Sequence, residues 1–201
     1  VGELADKVIV IPNCVRVEFQ PSPKAFDQSC PVVLQVGTGW NKNLVGVARG
    51  LLGIPCRMEI VGNIDSFQRA ALHASHVDYR ELGRISDEEL LEAYRRCDLV
   101  VFASHYEGFG LPILEAQAIG RPVVTSNLSS MPEAAGKGAI LVDPTDPQAI
   151  HHAVKSIIHD AGLRENLIRH GFENVARYRP GEVARCYEAV YRQCLDGRLP
   201  L

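Results

Sequence analysis

The chain has 201 residues, the size of one large domain at the usual ~100–200 residues per domain. Apolar residues make up 46% and charged residues 22%, so a sizeable core can be buried. A formal net charge of −3 lacks the basic excess of a nucleic-acid surface. No apolar run approaches the ~20 residues of a spanning helix, and no signal-peptide pattern opens the chain. It starts at Val1 without an initiator Met, as an excised or processed piece would.

The six cysteines, at positions 14, 30, 56, 97, 186 and 194, form no C-x-x-C pair. They read as buried, reduced thiols of a cytosolic protein rather than a disulfide framework.

In chain order, KVIVI (7–11) is a short apolar run closed by Pro12-Asn13, and residues 12–31, with four prolines, form a connector. VVLQV (32–36) is a strand ending in Gly37-Thr38-Gly39, and NLVGVARGLLG (43–53) has helical spacing with Gly53 as its stop. CRMEIV (56–61) is the next strand. Asp65 with Gln68 opens a helix over 65–75, and VDYRE (77–81) is a strand. Ser86 with Glu89 makes a capping box for a helix over 87–97. The strand DLVVFAS (98–104) precedes a Gly-Phe-Gly turn and a short helix, and PVVTS (122–126) and GAILV (138–142) are further strands. Asp146-Pro147 supplies an N-cap and a first helical residue. From 147 on the pattern is helical only, over 147–160, 162–177 and 181–196.

Near-continuous Val/Ile/Leu strands alternating with helices predict a doubly wound, Rossmann-like α/β domain with a parallel sheet covered on both faces. Residues 1–201 read as that single domain, ending in C-terminal helices. Ligands of such sheets bind at the carboxyl ends of the strands. The chemistry is therefore sought in the loops at 37–42, 62–64, 82–86, 104–111 and 126–131.

The segment SHYEGFGLPILEAQAIGRPVV (104–124) sets Glu107 and Glu115 around the Gly-Phe-Gly turn. Gly108 and Gly110 can take backbone angles closed to other residues and leave no side chain in a ligand's way. The helix start beyond them offers unpaired N–H groups and partial positive charge, a seat for phosphate. Glu115, one turn in, could accept two hydrogen bonds from neighbouring hydroxyls such as a ribose diol, and Glu107 could address a second polar group. Either glutamate alone fits a plain structural role; the pair after a buried strand points to function.

The loop Gly37-Thr38-Gly39-Trp40-Asn41-Lys42 satisfies neither G-x-G-x-x-G nor G-x-x-x-x-G-K-[ST]. Lys42 is either a solvated surface charge or a phosphate contact worth about 1.5–3 kcal/mol. Gly83-Arg84-Ile85 could line a base pocket. Residues 127–130 suit turns and ligand contacts equally. Seven histidines show no H-x-x-x-H or carboxylate cluster, so no metal site is expected, and His105 reads as a satisfied loop histidine.

These loops, in this order, resemble the C-terminal half of the retaining GT-B glycosyltransferases of family 4. VIPNCV (10–15) resembles the strand after that family's interdomain linker and VGTGWNKN (36–43) its first phosphate loop. LGRISDEELLEAY (82–94) and residues 104–126, with the E-x7-E signature from Glu107 to Glu115, match best, and residues 129–150 continue the pattern. The resemblance implies a donor-binding domain for a nucleoside-diphosphate sugar, one half of a GT-B fold, whose N-terminal acceptor domain is missing from this chain and without which it is inactive. It implies retaining, metal-independent transfer to a glycan, lipid or other acceptor. Glu115 would hold the ribose hydroxyls. Glu107, the catalytic-site acid, would position the donor sugar without attacking it. Backbone N–H groups of Phe109, Gly110 and Leu111, in the turn begun by Gly108, would meet sugar and diphosphate. Lys42, beside Gly37 and Thr38, would neutralise the pyrophosphate, and Arg84 and Ile85 would border the base.

The family usually carries Arg where this chain has Thr38, so weaker donor binding, or a supplementary cation from a partner domain, is expected. The resemblance also implies a cytoplasmic enzyme, associated with the cytoplasmic face of the membrane where the acceptor is a lipid. Two alternatives stand beside it: a sugar-nucleotide epimerase of GT-B architecture, and a non-catalytic interaction module of the same fold, which the intact glutamate pair disfavours.

Overall fold

A computed structural model describes residues 8–196. Six strands, β1 (Val32–Val36), β2 (Arg57–Val61), β3 (Asp78–Gly83), β4 (Leu99–Phe102), β5 (Val123–Ser126) and β6 (Ile140–Val142), form one sheet in the order β3-β2-β1-β4-β5-β6. Every strand pair is parallel, as strands separated by helical crossovers require.

Side chains alternate across the sheet and feed two cores. Val33, Leu99 and Val101 point into one with α1 (Leu44–Gly50) and α6 (Pro147–His159). Leu34, Val100 and Phe102 point into the other with α3 (Asp87–Arg96) and α4 (Leu111–Ile119). The expected capping box Ser86–Glu89 is present at α3, and Asp65 with Gln68, expected to open α2 (Ser66–Ala74), forms a capping box as well. Asp146 caps α6 as its sequence requires, accepting a bond from the Gln148 N–H. Two helices, α7 (Ala161–Val175) and α8 (Pro180–Leu195), complete the chain.

Four expectations need correction. VIPNCV forms no strand: it pairs with neither edge of the sheet, and its Val15 N–H instead donates to the Tyr178 carbonyl at 2.9 Å. GAILV pairs only over Ile140–Val142. The loop after β5 contains a short helix, α5 (Met131–Ala135), anchored by buried Met131, Ala134 and Ala135. Of the thiols, Cys56 and Cys97 are buried and pushed up to about 12 by desolvation, whereas Cys14, Cys30 and Cys186 are exposed.

The proline-rich segment lies along the opposite end of the sheet from the carboxyl-end loops. Asp98, at the start of β4, accepts the Val32 and Asp27 N–H groups at 2.8 and 3.1 Å and pairs with Lys24. Buried Arg121 donates to the carbonyls of Tyr94, Arg95 and Ser22 at 3.1, 2.6 and 2.9 Å. It thereby closes the last turn of α3 against the segment, where unpaired carbonyls need donors.

Candidate donor site at the sheet's switch point

The strand order reverses between β1 and β4, whose following helices pack on opposite faces of the sheet. The loops leaving these two strands flank the crevice where doubly wound sheets bind ligands.

The first loop is built around Lys42. Gly37 takes φ +90°, and a Cβ there would stand 2.9 Å from Lys42 Cε, so its bareness lets the lysine stem lie across the strand end. A 3-10 turn, Trp40–Lys42, presents the ammonium, and Gln35 Nε2 donates to the Lys42 carbonyl at 3.0 Å. Asn43, in the left-handed region at φ 54°, donates to the carbonyls of Ala103 and Pro144 at 3.0 and 2.7 Å. Such bonds secure a turn that the backbone alone would not hold.

The second loop meets it. The His105 N–H donates to the Asn41 carbonyl at 2.8 Å, and Asn41 Nδ2 returns a bond to the Tyr106 carbonyl at 2.9 Å. Lys42 Nζ lies 2.8 Å from Glu107 Oε1 and 4.7 Å from the centroid of the Phe102 ring. The pair is partly desolvated, with side-chain exposures of 21% for Lys42 and 12% for Glu107, where charge attraction exceeds that of a surface pair. Asn41 Nδ2 also reaches Glu107 Oε1 at 3.3 Å. The hydroxyls of Ser129 and Ser130 donate to the Glu107 carbonyl at 2.7 and 3.0 Å. Glu107 is therefore held at both its main chain and its carboxylate.

Beyond it, Gly108 faces open space, while Gly110 caps α4 at φ +104°, an angle that side chains resist. The Phe109 ring turns inward, edge-on to Tyr178 at 5.8 Å. Leu111 is the first residue of α4.

Glu115 is 8% exposed, and its Oε2 accepts from the buried Tyr94 hydroxyl at 2.8 Å. Burial pushes its carboxyl above the ordinary value, against the opposing pull of the Tyr94 bond and the Arg16 charge. The Tyr94 hydroxyl is itself pushed well above its ordinary value by burial and the neighbouring carboxylate.

Thus the structure joins Glu107 to Lys42 and Glu115 to Tyr94; among the described residues the two glutamates share no hydrogen-bond partner. Arg84 and Ile85 stand farther off, after the edge strand β3. Arg84 is exposed and Ile85 lines a cavity of about 350 Å³ against Glu88, Glu89 and Arg96. Thr38 Oγ1 donates to the Asn63 carbonyl at 2.8 Å, and the Thr38 carbonyl accepts from Gln68 Nε2 at 2.7 Å, so this residue ties the first loop to the β2–α2 turn. Among the described residues no three His, Cys, Asp or Glu side chains gather as metal ligands.

Sequence reasoning did not single out Gln35, Asn41, Ser129, Ser130 or Tyr94. Gln35 carried a readable signal, a lone amide in the apolar strand VVLQV, and Ser129-Ser130 lay in a loop already marked. Nothing in the sequence distinguished Tyr94 from any other helix tyrosine.

Doubly wound domains bind their ligands at such a switch point, and a bare helix start there suits an anion. The chain belongs to the family Glycosyl transferases group 1, which it matches over residues 23–174. It is 39% identical over 99 residues to the O-antigen chain mannosyltransferase B of Escherichia coli, 49% of this chain and 26% of that protein. The chain thus matches about a quarter of that relative's length. Its fold matches GT-B glycosyltransferase structures. Sucrose-phosphate synthase of Thermosynechococcus elongatus superposes with a TM-score of 0.80 at 24% identity, over 93% of this chain and 52% of that one. A C-terminal domain of a glycosyl transferase group 1 protein from Francisella tularensis superposes at 0.68 and 23% identity, over 81% and 96%.

Proposed function

We propose that this domain binds the nucleoside-diphosphate sugar of a retaining, metal-independent family 4 glycosyltransferase and forms the C-terminal half of its GT-B fold. The observation that carries the reading is the Lys42–Glu107 pair, 2.8 Å apart across the switch point and beside the start of α4. A cation and a helix N-terminus together can stabilise the charge that a departing nucleoside diphosphate gathers, the task a divalent ion performs elsewhere. Among other enzymes, removing one such preorganised donor costs about 10²–10³ in rate.

In this reading Lys42 addresses the diphosphate and Glu107 orients the sugar, and the N–H groups of Phe109, Gly110 and Leu111 line its path. Glu115 takes the ribose hydroxyls, with Tyr94 holding its carboxylate. Arg84 and Ile85 border the base. Thr38 supplies no positive charge, so either donor binding is weaker or a further cation comes from a partner acceptor domain. The superposition of a C-terminal glycosyl transferase group 1 domain over nearly its whole length supports reading this chain as a C-terminal half. The likeness to a mannosyltransferase makes GDP-mannose the first donor to try. No helix among the described residues is long and apolar enough to cross a membrane.

A thermal-shift panel of GDP, UDP, ADP and dTDP tests the reading. A ligand at 100 times its dissociation constant stabilises by about 2.7 kcal/mol. Glu115→Ala should weaken the best ligand in calorimetry through its ribose end. No shift with any nucleotide at millimolar concentration would favour the interaction-module alternative, and unchanged affinity in Glu115→Ala would remove that residue from the site.

A further inference from the structure

Lys42 already has an anionic partner, and that partner is tied to its neighbours at both main chain and carboxylate. The Glu107 carbonyl is gripped by the hydroxyls of Ser129 and Ser130, the preceding carbonyl by Asn41, and the carboxylate by Asn41 and Lys42. Lys42 is equally fixed, its stem lying over Gly37 and its ammonium against the Phe102 ring. A phosphate oxygen that meets this ammonium therefore comes close to the carboxylate 2.8 Å from it, and like charges at such range repel.

The size of that repulsion depends on what the terminal phosphate carries. A bare nucleoside diphosphate bears one more negative charge than the same nucleotide esterified to a sugar, and beyond its terminal phosphate it presents no hydroxyl donors. A sugar nucleotide offers hydroxyls, which an ionised carboxylate can only accept from.

We propose, on the donor-site reading above, that Glu107 is the residue by which the site distinguishes the sugar-bearing nucleotide from the bare nucleoside diphosphate. It penalises the product through charge and favours the donor through hydrogen bonding. Specificity of this kind comes from building in a repulsive element against the competitor as well as an attraction for the correct ligand. The same carboxylate hastens departure of the spent nucleotide, a step that limits turnover in many enzymes. A glutamate whose only task was to support the loop would affect both ligands alike.

Calorimetry with three pairs, UDP and UDP-glucose, GDP and GDP-mannose, ADP and ADP-glucose, separates the possibilities. Glu107→Gln is nearly isosteric and keeps an acceptor for Asn41 and Lys42, while Glu107→Ala guards against a new amide contact. For the pair that binds, both variants should take the bare diphosphate about 3- to 10-fold more tightly than the parent chain, the scale of one partly screened charge pair. The sugar nucleotide should bind no better than before, so the preference for it falls. With Lys42→Ala in the background, the gain should shrink, because the ammonium no longer draws the phosphate to the carboxylate. Equal weakening of both ligands, or unchanged affinity for the diphosphate, overturns the proposal. If no pair binds the parent chain, the donor-site reading itself fails and this inference falls with it.

Discussion

Replacing Tyr94 by Phe removes one hydroxyl from a fully buried ring and leaves the packing in place, including the edge-on contact with Phe19 at 5.4 Å. The lost group donates to Glu115 Oε2 at 2.8 Å. Where Glu115 is ionised that bond is charge-assisted and contributes about 1.5–3 kcal/mol; where Glu115 is protonated it contributes about 0.5–1.5 kcal/mol. The penalty of Tyr94→Phe should therefore grow with pH. Burial raises the folded Glu115 value above 4.5, so just above pH 4.5 the folded chain keeps a proton that the unfolded chain has released. Stability from this group is then greatest at the acid end and declines as pH rises through the folded value. Without the Tyr94 hydroxyl, which favours the ionised form, the folded value rises further and the decline extends to higher pH. Urea unfolding followed by circular dichroism at pH 4.5 and 7.5 measures both penalties. A penalty that is the same at the two pH values, or that stays below about 0.5 kcal/mol at pH 7.5, would refute the claim that this hydroxyl supports an ionised Glu115.

Two further substitutions probe the first loop. Lys42→Ala should lower nucleoside-diphosphate affinity by about 10- to 150-fold, the equivalent of one charge-assisted contact, and leave the free nucleoside untouched; titrating both ligands checks it, and equal losses would contradict a pyrophosphate contact. Gly37→Ala forces a side chain into φ +90° and sets its Cβ 2.9 Å from Lys42 Cε. It should cost about 1–3 kcal/mol in denaturant unfolding and weaken diphosphate binding as the lysine is displaced.

The legible parts of this protein were those governed by neighbours in the chain. The strands VVLQV and DLVVFAS announced themselves through runs of apolar residues, and the Ser86–Glu89 capping box through a pair of residues three apart, because its partners are a turn away. Gly110 declared its left-handed angle by being glycine before a proline-bearing helix start. The strand expected of VIPNCV failed for the opposite reason. A strand needs a partner edge, and this segment lies against neither edge strand, its Val15 N–H bonding to Tyr178 instead. The helix over Met131–Ala135 went unread because a single turn carries no periodicity.

Local chemistry alone therefore determined a doubly wound α/β domain with its working loops at the strand ends, since side-chain period and helix capping are short-range properties. Which charges meet was decided only by the tertiary structure. Glu107 lies 65 positions from its partner Lys42, and Glu115 is bonded to a tyrosine of a different helix. Strand order set the first of those encounters, by laying β4 against β1 on the side opposite β2. The burial that perturbs Glu115 likewise exists only once the helices have closed over the sheet.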